Sequence, residues 1–225
     1  MNYLISPSLM CLDLMKASEQ IRFFNEKADM LHVDLMDGHY VKNIALSVDF
    51  VRQIRPHATI PIDVHMMVTT PMDFVDGLIN AGADSMSVHA ETISSYAFRL
   101  INHIKNANKK VGIILNPATS IDVLTPYIHL LDKVTVMTVD PGYAGQPFIP
   151  EMVEKIKALH NTRAAGGHKF LIEVDGSCNK NTYGLLLNAG ADVLVMGSSG
   201  LLKHGVPIAD TWEIMEADIA KSLSA

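Results

Sequence analysis

At 225 residues, with 48% hydrophobic and 19% charged side chains, the chain has apolar mass for one large α/β domain and too little polarity for long disordered tracts. Its formal net charge of -6 argues against nucleic acid or anionic membrane as a partner, because both recruit basic surfaces. Two cysteines, Cys11 and Cys178, cannot build a disulfide framework; with no leader-like N-terminus and no apolar run of membrane-spanning length, a reducing cytoplasm is the expected compartment.

Short apolar runs recur along the chain. They predict strands at Tyr3–Ser8, Met30–Asp34, Ile60–Met66, Ser85–His89, Lys110–Leu115, Lys133–Val139, Phe170–Asp175 and Val193–Met196. Between them Leu14–Lys27, Ile93–Asn106 and Glu151–Ala165 carry apolar residues at three- and four-residue spacing, as amphipathic helices do. Strict strand–helix alternation implies a parallel sheet, and no Pro/Gly-rich linker divides the chain, so residues 1–225 form a single expected domain. Eight units of about 28 residues favour a closed (β/α)8 TIM barrel over an open doubly wound sheet. The pentapeptide Asn80-Ala81-Gly82-Ala83-Asp84 returns as Asn188-Ala189-Gly190-Ala191-Asp192, each time before a strand. Its glycine suits a positive-φ helix C-terminus; half-barrel symmetry and repeated use of one good turn both explain the echo.

Charges inside apolar strands are the informative feature. His32 and Asp34, Asp63 and His65, and Glu173 and Asp175 stand two apart, so each pair projects from one face of its strand. Barrel strands are buried on both sides, and uncompensated carboxylates there cost several kcal/mol, which a bound cation would offset. One histidine in an apolar strand is usually a hydrogen-bonded core residue; three such strands together point to a divalent metal, with Asp63 and Glu173 deeper and orienting the ligands. His89 has no partner of this kind and reads as a wall residue. The ligand types suit zinc, manganese, iron or cobalt.

The segment Asp140-Pro141-Gly142-Tyr143-Ala144-Gly145-Gln146-Pro147 reads as a lid over the barrel mouth. Gly176-Ser177 and Gly197-Ser198-Ser199-Gly200 follow the last two strands, where barrels bind phosphate through backbone amides and a short helix N-terminus. No lysine or arginine is required there. Met10, Met36, Met67 and Met137 at the strand ends can line an apolar pocket, while Cys11 and Cys178 read as small buried hydrophobes without chemistry.

Four segments carry a family resemblance: His32-Val33-Asp34-Leu35-Met36-Asp37-Gly38-His39, Asp63-Val64-His65-Met66-Met67-Val68, Asp140-Pro141-Gly142-Tyr143-Ala144-Gly145-Gln146 and Glu173-Val174-Asp175-Gly176. With Ser6-Pro7-Ser8-Leu9 and Gly197-Ser198 in the same order, nearly the whole chain resembles the ribulose-phosphate 3-epimerase family. That resemblance implies a (β/α)8 barrel, one divalent metal ion (Zn, Mn, Co, Fe or Mg) on His32, Asp34, His65 and Asp175, and Asp34 and Asp175 as the acid–base pair. It implies ketose-phosphate contacts at Ser8, His65, Gly142, Tyr143, Ala144, Gly145, Gly176, Ser177, Gly197, Ser198 and Ser199, and a homo-oligomer, dimer or hexamer. Leu9–Leu14, Met137–Phe148 and Gly176–Asn179 look closest to the allulose-6-phosphate 3-epimerase branch. The pentose-phosphate enzymes usually carry a second glycine where Ala144 stands and lack the Ser177-Cys178 pair, and Lys42 replaces a common proline. Ribulose 5-phosphate is the alternative substrate, and a non-catalytic sugar-phosphate-binding barrel the alternative of another class.

Overall fold

The computed structural model describes residues 3–224; Met1, Asn2 and Ala225, the ends of the expected domain, lie outside the described residues. Each apolar run becomes a strand: β1 (Leu4–Pro7), β2 (Leu31–Met36), β3 (Ile62–Met67), β4 (Ser85–His89), β5 (Lys110–Leu115), β6 (Lys133–Met137), β7 (Leu171–Asp175) and β8 (Val193–Met196). All pairings between these strands are parallel, in the order β1-β8-β7-β6-β5-β4-β3-β2. The β1–β2 seam is joined by a lone bridge between Ser8 and His32, which nearly closes the barrel. This is the expected (β/α)8 architecture, with bounds shifted by one or two residues.

Helices α1 (Ala17–Lys27), α2 (Val48–Ile54), α3 (Met72–Ala81), α4 (Ala97–Asn106), α5 (Met152–Ala165), α6 (Tyr183–Asn188) and α7 (Ile208–Leu223) cover the sheet. The expected Leu14–Lys27 helix begins with a 3-10 turn at Leu14–Lys16, and the expected Ile93–Asn106 helix starts four residues late. Strict alternation fails once. Between β5 and β6 the described chain makes only the 3-10 turns Ile121–Leu124 and Ile128–Leu130. Pro117 and Pro126 bracket the first of them, and a proline inside a helix removes a backbone donor and clashes with the preceding turn.

The repeated pentapeptide has a structural role. Gly82 (φ +93°) and Gly190 (φ +106°) take the left-handed conformation expected of them. The aspartate ending each copy reaches back to the preceding strand: Asp84 accepts from the Ile62 amide at 2.8 Å, and Asp192 from the Ile172 amide at 2.7 Å. Asp29 and Asp132 do the same for Ile5 (2.8 Å) and Val111 (2.9 Å). One aspartate before each even-numbered strand thus ties the start of the odd-numbered strand before it, four times around the barrel. The device is a fourfold pairing of strands, broader than the half-barrel echo in the sequence.

Candidate active site

Inside the barrel, four side chains from β2, β3 and β7 meet. His32 Nε2 lies 3.4 Å from Asp34 Oδ1, 3.6 Å from Asp175 Oδ2 and 3.2 Å from His65 Nδ1. His65 Nδ1 lies 3.4 Å from Asp34 Oδ1 and 3.2 Å from Asp175 Oδ2. The β2–β3 register sets this directly, since Asp34 pairs with His65 and alternate residues face one side. Four donors about 2.0–2.1 Å from a tetrahedral centre stand about 3.3–3.4 Å apart, so the observed separations match the edges of a metal's coordination shell. These atoms can hold a metal ion.

The electrostatics agree. Burial disfavours a charged His32, yet Asp34 and Asp175 override it and hold its pKa well above the imidazole value. Burial likewise works against ionised Asp34, but His32 and His65 bring its pKa down to about 2. Asp175 is also held low by the two imidazoles against the effect of its burial. Without metal, protons on the rings thus neutralise the carboxylates; a divalent cation would supply the same charge more compactly.

The cavity above this quartet is lined by Ser8, by the lid from Gly142 to Gly145, by Gly176 and Ser177, and by Gly197, Ser198 and Ser199. Every residue expected to contact substrate is therefore brought to one cavity, together with Asp34, His65 and Asp175. Ser8 Oγ donates to Asp34 Oδ2 at 2.7 Å, leaving Oδ1 to the imidazoles. The lid is tied to the β2–α2 loop: Tyr143 Oη donates to the Lys42 carbonyl (2.7 Å) and Asn43 Nδ2 to the Gly142 carbonyl (2.8 Å). Gly142, at φ +109°, passes so close to Val41 that a Cβ would come within 2.9 Å of it. Ser177 is a non-glycine residue at φ +51°, and Asn179 Nδ2 and Thr182 Oγ1 donate to its carbonyl at 2.8 and 2.7 Å. No lysine or arginine lines the cavity among the described residues. In place of the expected short helix after β8, Leu201 N closes a single turn on the Gly197 carbonyl at 3.0 Å. The Ser198 and Ser199 amides open that turn and have no acceptor within it.

The model of the ribulose-phosphate 3 epimerase family matches residues 4–201. The chain belongs to this family. It is 40% identical to the ribulose-phosphate 3-epimerase of Bacillus subtilis (strain 168) over 197 residues, covering 87% of this chain and 90% of that one. The Synechocystis enzyme of the same name is 38% identical over 200 residues (88% and 87% covered), and the rice cytoplasmic isoform 37% over 224 residues (97% and 96%). This epimerase also shares its fold with 3-hexulose-6-phosphate synthase from Salmonella typhimurium (TM-score 0.70, 18% identity, 97% of this chain and 99% of that one). Phosphoribosyl anthranilate isomerase from Thermococcus kodakaraensis aligns similarly (TM-score 0.68, 14% identity, 96% and 98%). The chain is accordingly a carbohydrate epimerase.

Some expectations need correction in the epimerase. His89, with no charged partner in its own strand, finds one on β3: its Nε2 lies 2.9 Å from His65 Nε2, and its ring packs on Tyr40 with centroids 4.6 Å apart. Burial and then the charge of His65 push its pKa well below the usual imidazole value, so a neutral His89 can accept a hydrogen bond from His65 Nε2. That contact turns His65 Nδ1, the other ring nitrogen, toward the quartet. Met10, Met67 and Met137 line the cavity as expected, but Met36 packs with Val41 and Met67 in a separate small cluster. Cys178 is buried, whereas Cys11 is only half-buried and lines the cavity.

Sequence reasoning missed Lys133. It is buried at the start of β6, pairs with Asp63 Oδ2, and reaches Glu173 Oε1 at 2.7 Å. The deeper carboxylates therefore share one cation supplied by the chain itself. The signal was present: Lys133-Val134-Thr135-Val136 places a lysine and a threonine on one face of an apolar strand. Its meaning depends on Glu173 of the adjacent β7 and on Asp63 of β3, three strands away.

Proposed function

We propose that this epimerase inverts the third carbon of a ketose phosphate, interconverting D-allulose 6-phosphate and D-fructose 6-phosphate with one divalent metal ion on His32, Asp34, His65 and Asp175. The observation that carries the reading is the placement of Asp34 and Asp175. They arise from β2 and β7, converge on the same two imidazoles and line one cavity. Inversion needs a proton removed from one face of a planar intermediate and another delivered to the opposite face. Two carboxylates on different strands suit that requirement.

A metal held there would supply Lewis-acid stabilisation of the negative charge that builds on the ketose oxygens. The chain's own groups do the rest. One carboxyl takes the C3 proton while the other, protonated, delivers one from the far side, and the roles exchange with direction. Ser8 steadies Asp34 through its 2.7 Å hydrogen bond. The amides of Gly176–Ser177 and Ser198–Ser199 would grip the phosphate, orienting the substrate without entering bond-making. The lid, tied by Tyr143 and Asn43, would exclude water from the intermediate.

The six-carbon choice rests on Ala144 in the lid, the Ser177-Cys178 pair and the Leu9–Leu14 segment, which resemble the allulose-6-phosphate branch. Ribulose 5-phosphate is the second reading, favoured by the names of the relatives. Comparing kcat/KM on the two substrates decides; a preference for ribulose 5-phosphate overturns the six-carbon assignment. Solvent deuterium should enter only at the third carbon, and its failure to do so would remove the epimerase reading in favour of a binding barrel. Zinc, manganese, cobalt, iron or magnesium would be identified by elemental analysis of the purified protein. We further expect a homo-oligomer, dimer or hexamer, readable by light scattering, and a cytoplasmic enzyme with both cysteines free. No described helix is long and apolar enough to cross a membrane.

A further inference from the structure

Beneath the quartet lies a second buried polar group that the proton transfer does not use. Lys133 Nζ pairs with Asp63 Oδ2 and lies 2.7 Å from Glu173 Oε1; Thr135 Oγ1 donates to the same Glu173 oxygen at 2.8 Å. Asp63 Oδ1 accepts from Ser85 and, at 3.1 Å, from Ser87. The sheet is shaped for this lysine. Gly112 on β5 has no side chain, and a Cβ there would stand 2.3 Å from Ser87 Oγ and 3.3 Å from Lys133 Cε. Lys133 and Asp63 are 5% and 2% exposed, and Glu173 is fully buried.

Apolar residues of equal volume commonly pack at least as well as a buried ion cluster, so fold stability alone explains these three charges poorly. Their position offers a reason. Asp63 Oδ2 lies 3.6 Å from His32 Nδ1, and that nitrogen, buried and without a hydrogen-bond partner, has the carboxylate as its near neighbour. A histidine that binds metal through one ring nitrogen is commonly oriented by a carboxylate at the other. Because Lys133 and the two serines restrain Asp63, they also restrain where its oxygen meets the ring.

We propose that Lys133 is a positioning residue of the metal centre: its ammonium anchors the Asp63 carboxylate under His32, so that His32 keeps its proton on Nδ1 and presents a bare Nε2 to the ion. This rests on reading the quartet as a metal centre. It adds a role for a lysine that touches neither the ion nor the substrate.

The test is calorimetric titration of metal-free protein with Zn²⁺ and with Mn²⁺, alongside thermal unfolding. Lys133→Met leaves two buried carboxylates facing each other, so the deciding variant is Lys133→Met/Glu173→Gln, which removes one charge of each sign and leaves Asp63 in place. The expected result is a folded protein whose metal affinity is about tenfold to a hundredfold weaker than wild type. A folded double variant with a smaller loss overturns the proposal. So does a double variant that does not fold, because the triad would then be needed for the fold itself. Wild-type protein that takes up neither metal would instead overturn the metal-centre reading, and the two failures are distinguishable.

Discussion

Asp34 and Asp175 are chemically unexceptional residues made unusual by what surrounds them. With neither metal nor substrate bound, each is held ionised by imidazoles that burial alone would keep neutral, and Ser8 fixes the free oxygen of one of them. Asparagine at either position keeps the volume and removes the proton acceptor, so Asp34→Asn and Asp175→Asn should each lower kcat by about 10²–10⁴-fold. Steady-state assays with deuterium wash-in check this, and near-normal turnover in either variant removes that residue from the mechanism. At this scale the quartet was legible, because i, i+2 pairs in apolar strands restrict which side chains share a face. His89 and Lys133 were not. A histidine ending one strand and a lysine beginning another acquire partners only when β3 lies beside β4, β7 lies beside β6, and β3 faces β6 across the barrel interior.

Among the elements, strands were more legible than helices. Eight apolar runs became eight strands, since burial on both faces demands continuous apolar sequence. Helix starts drifted because the loops at the C-terminal ends of strands are long and carry function, and the β5–β6 connection formed only 3-10 turns. The echoed pentapeptide illustrates a half-read signal. Its glycines were understood from sequence, whereas its aspartates were not, because their acceptor role appears only against the preceding strand. Asp84→Ala should lose both the Ile62 amide bond and the Arg55 partner and destabilise the fold by about 1–2 kcal/mol in urea unfolding at neutral pH. An unchanged midpoint would show that the tie between β3 and β4 contributes nothing.

For the whole molecule, the active centre is also a site of stored electrostatic cost. Four titratable groups lie together in the barrel interior, and a cation bound there would stabilise the native state through its preference for the assembled quartet over the unfolded chain. Metal at about a hundred times its dissociation constant should add about 2.7 kcal/mol. For a domain of this size that corresponds to a rise in Tm of about 5–10 °C, reversed by a chelator in differential scanning calorimetry. A Tm indifferent to metal would mean that the quartet does not select the folded state's ion. The lid ties and the tight Gly142–Val41 approach bind the mouth together without touching the quartet, so they should not contribute to this shift.

What the amino-acid order determined by itself was periodicity and chemical type: eight buried strands, paired histidines and carboxylates on shared faces, and glycine-rich loops after the last strands. Those are local properties, set within a few residues by backbone geometry and the cost of burying charge. Tertiary structure decided the partners: which ring nitrogen His89 meets, which carboxylates Lys133 neutralises, and which strand each aspartate ties down. Such contacts join residues 20 to 70 positions apart, and sequence spacing carries no distance for them until the barrel closes.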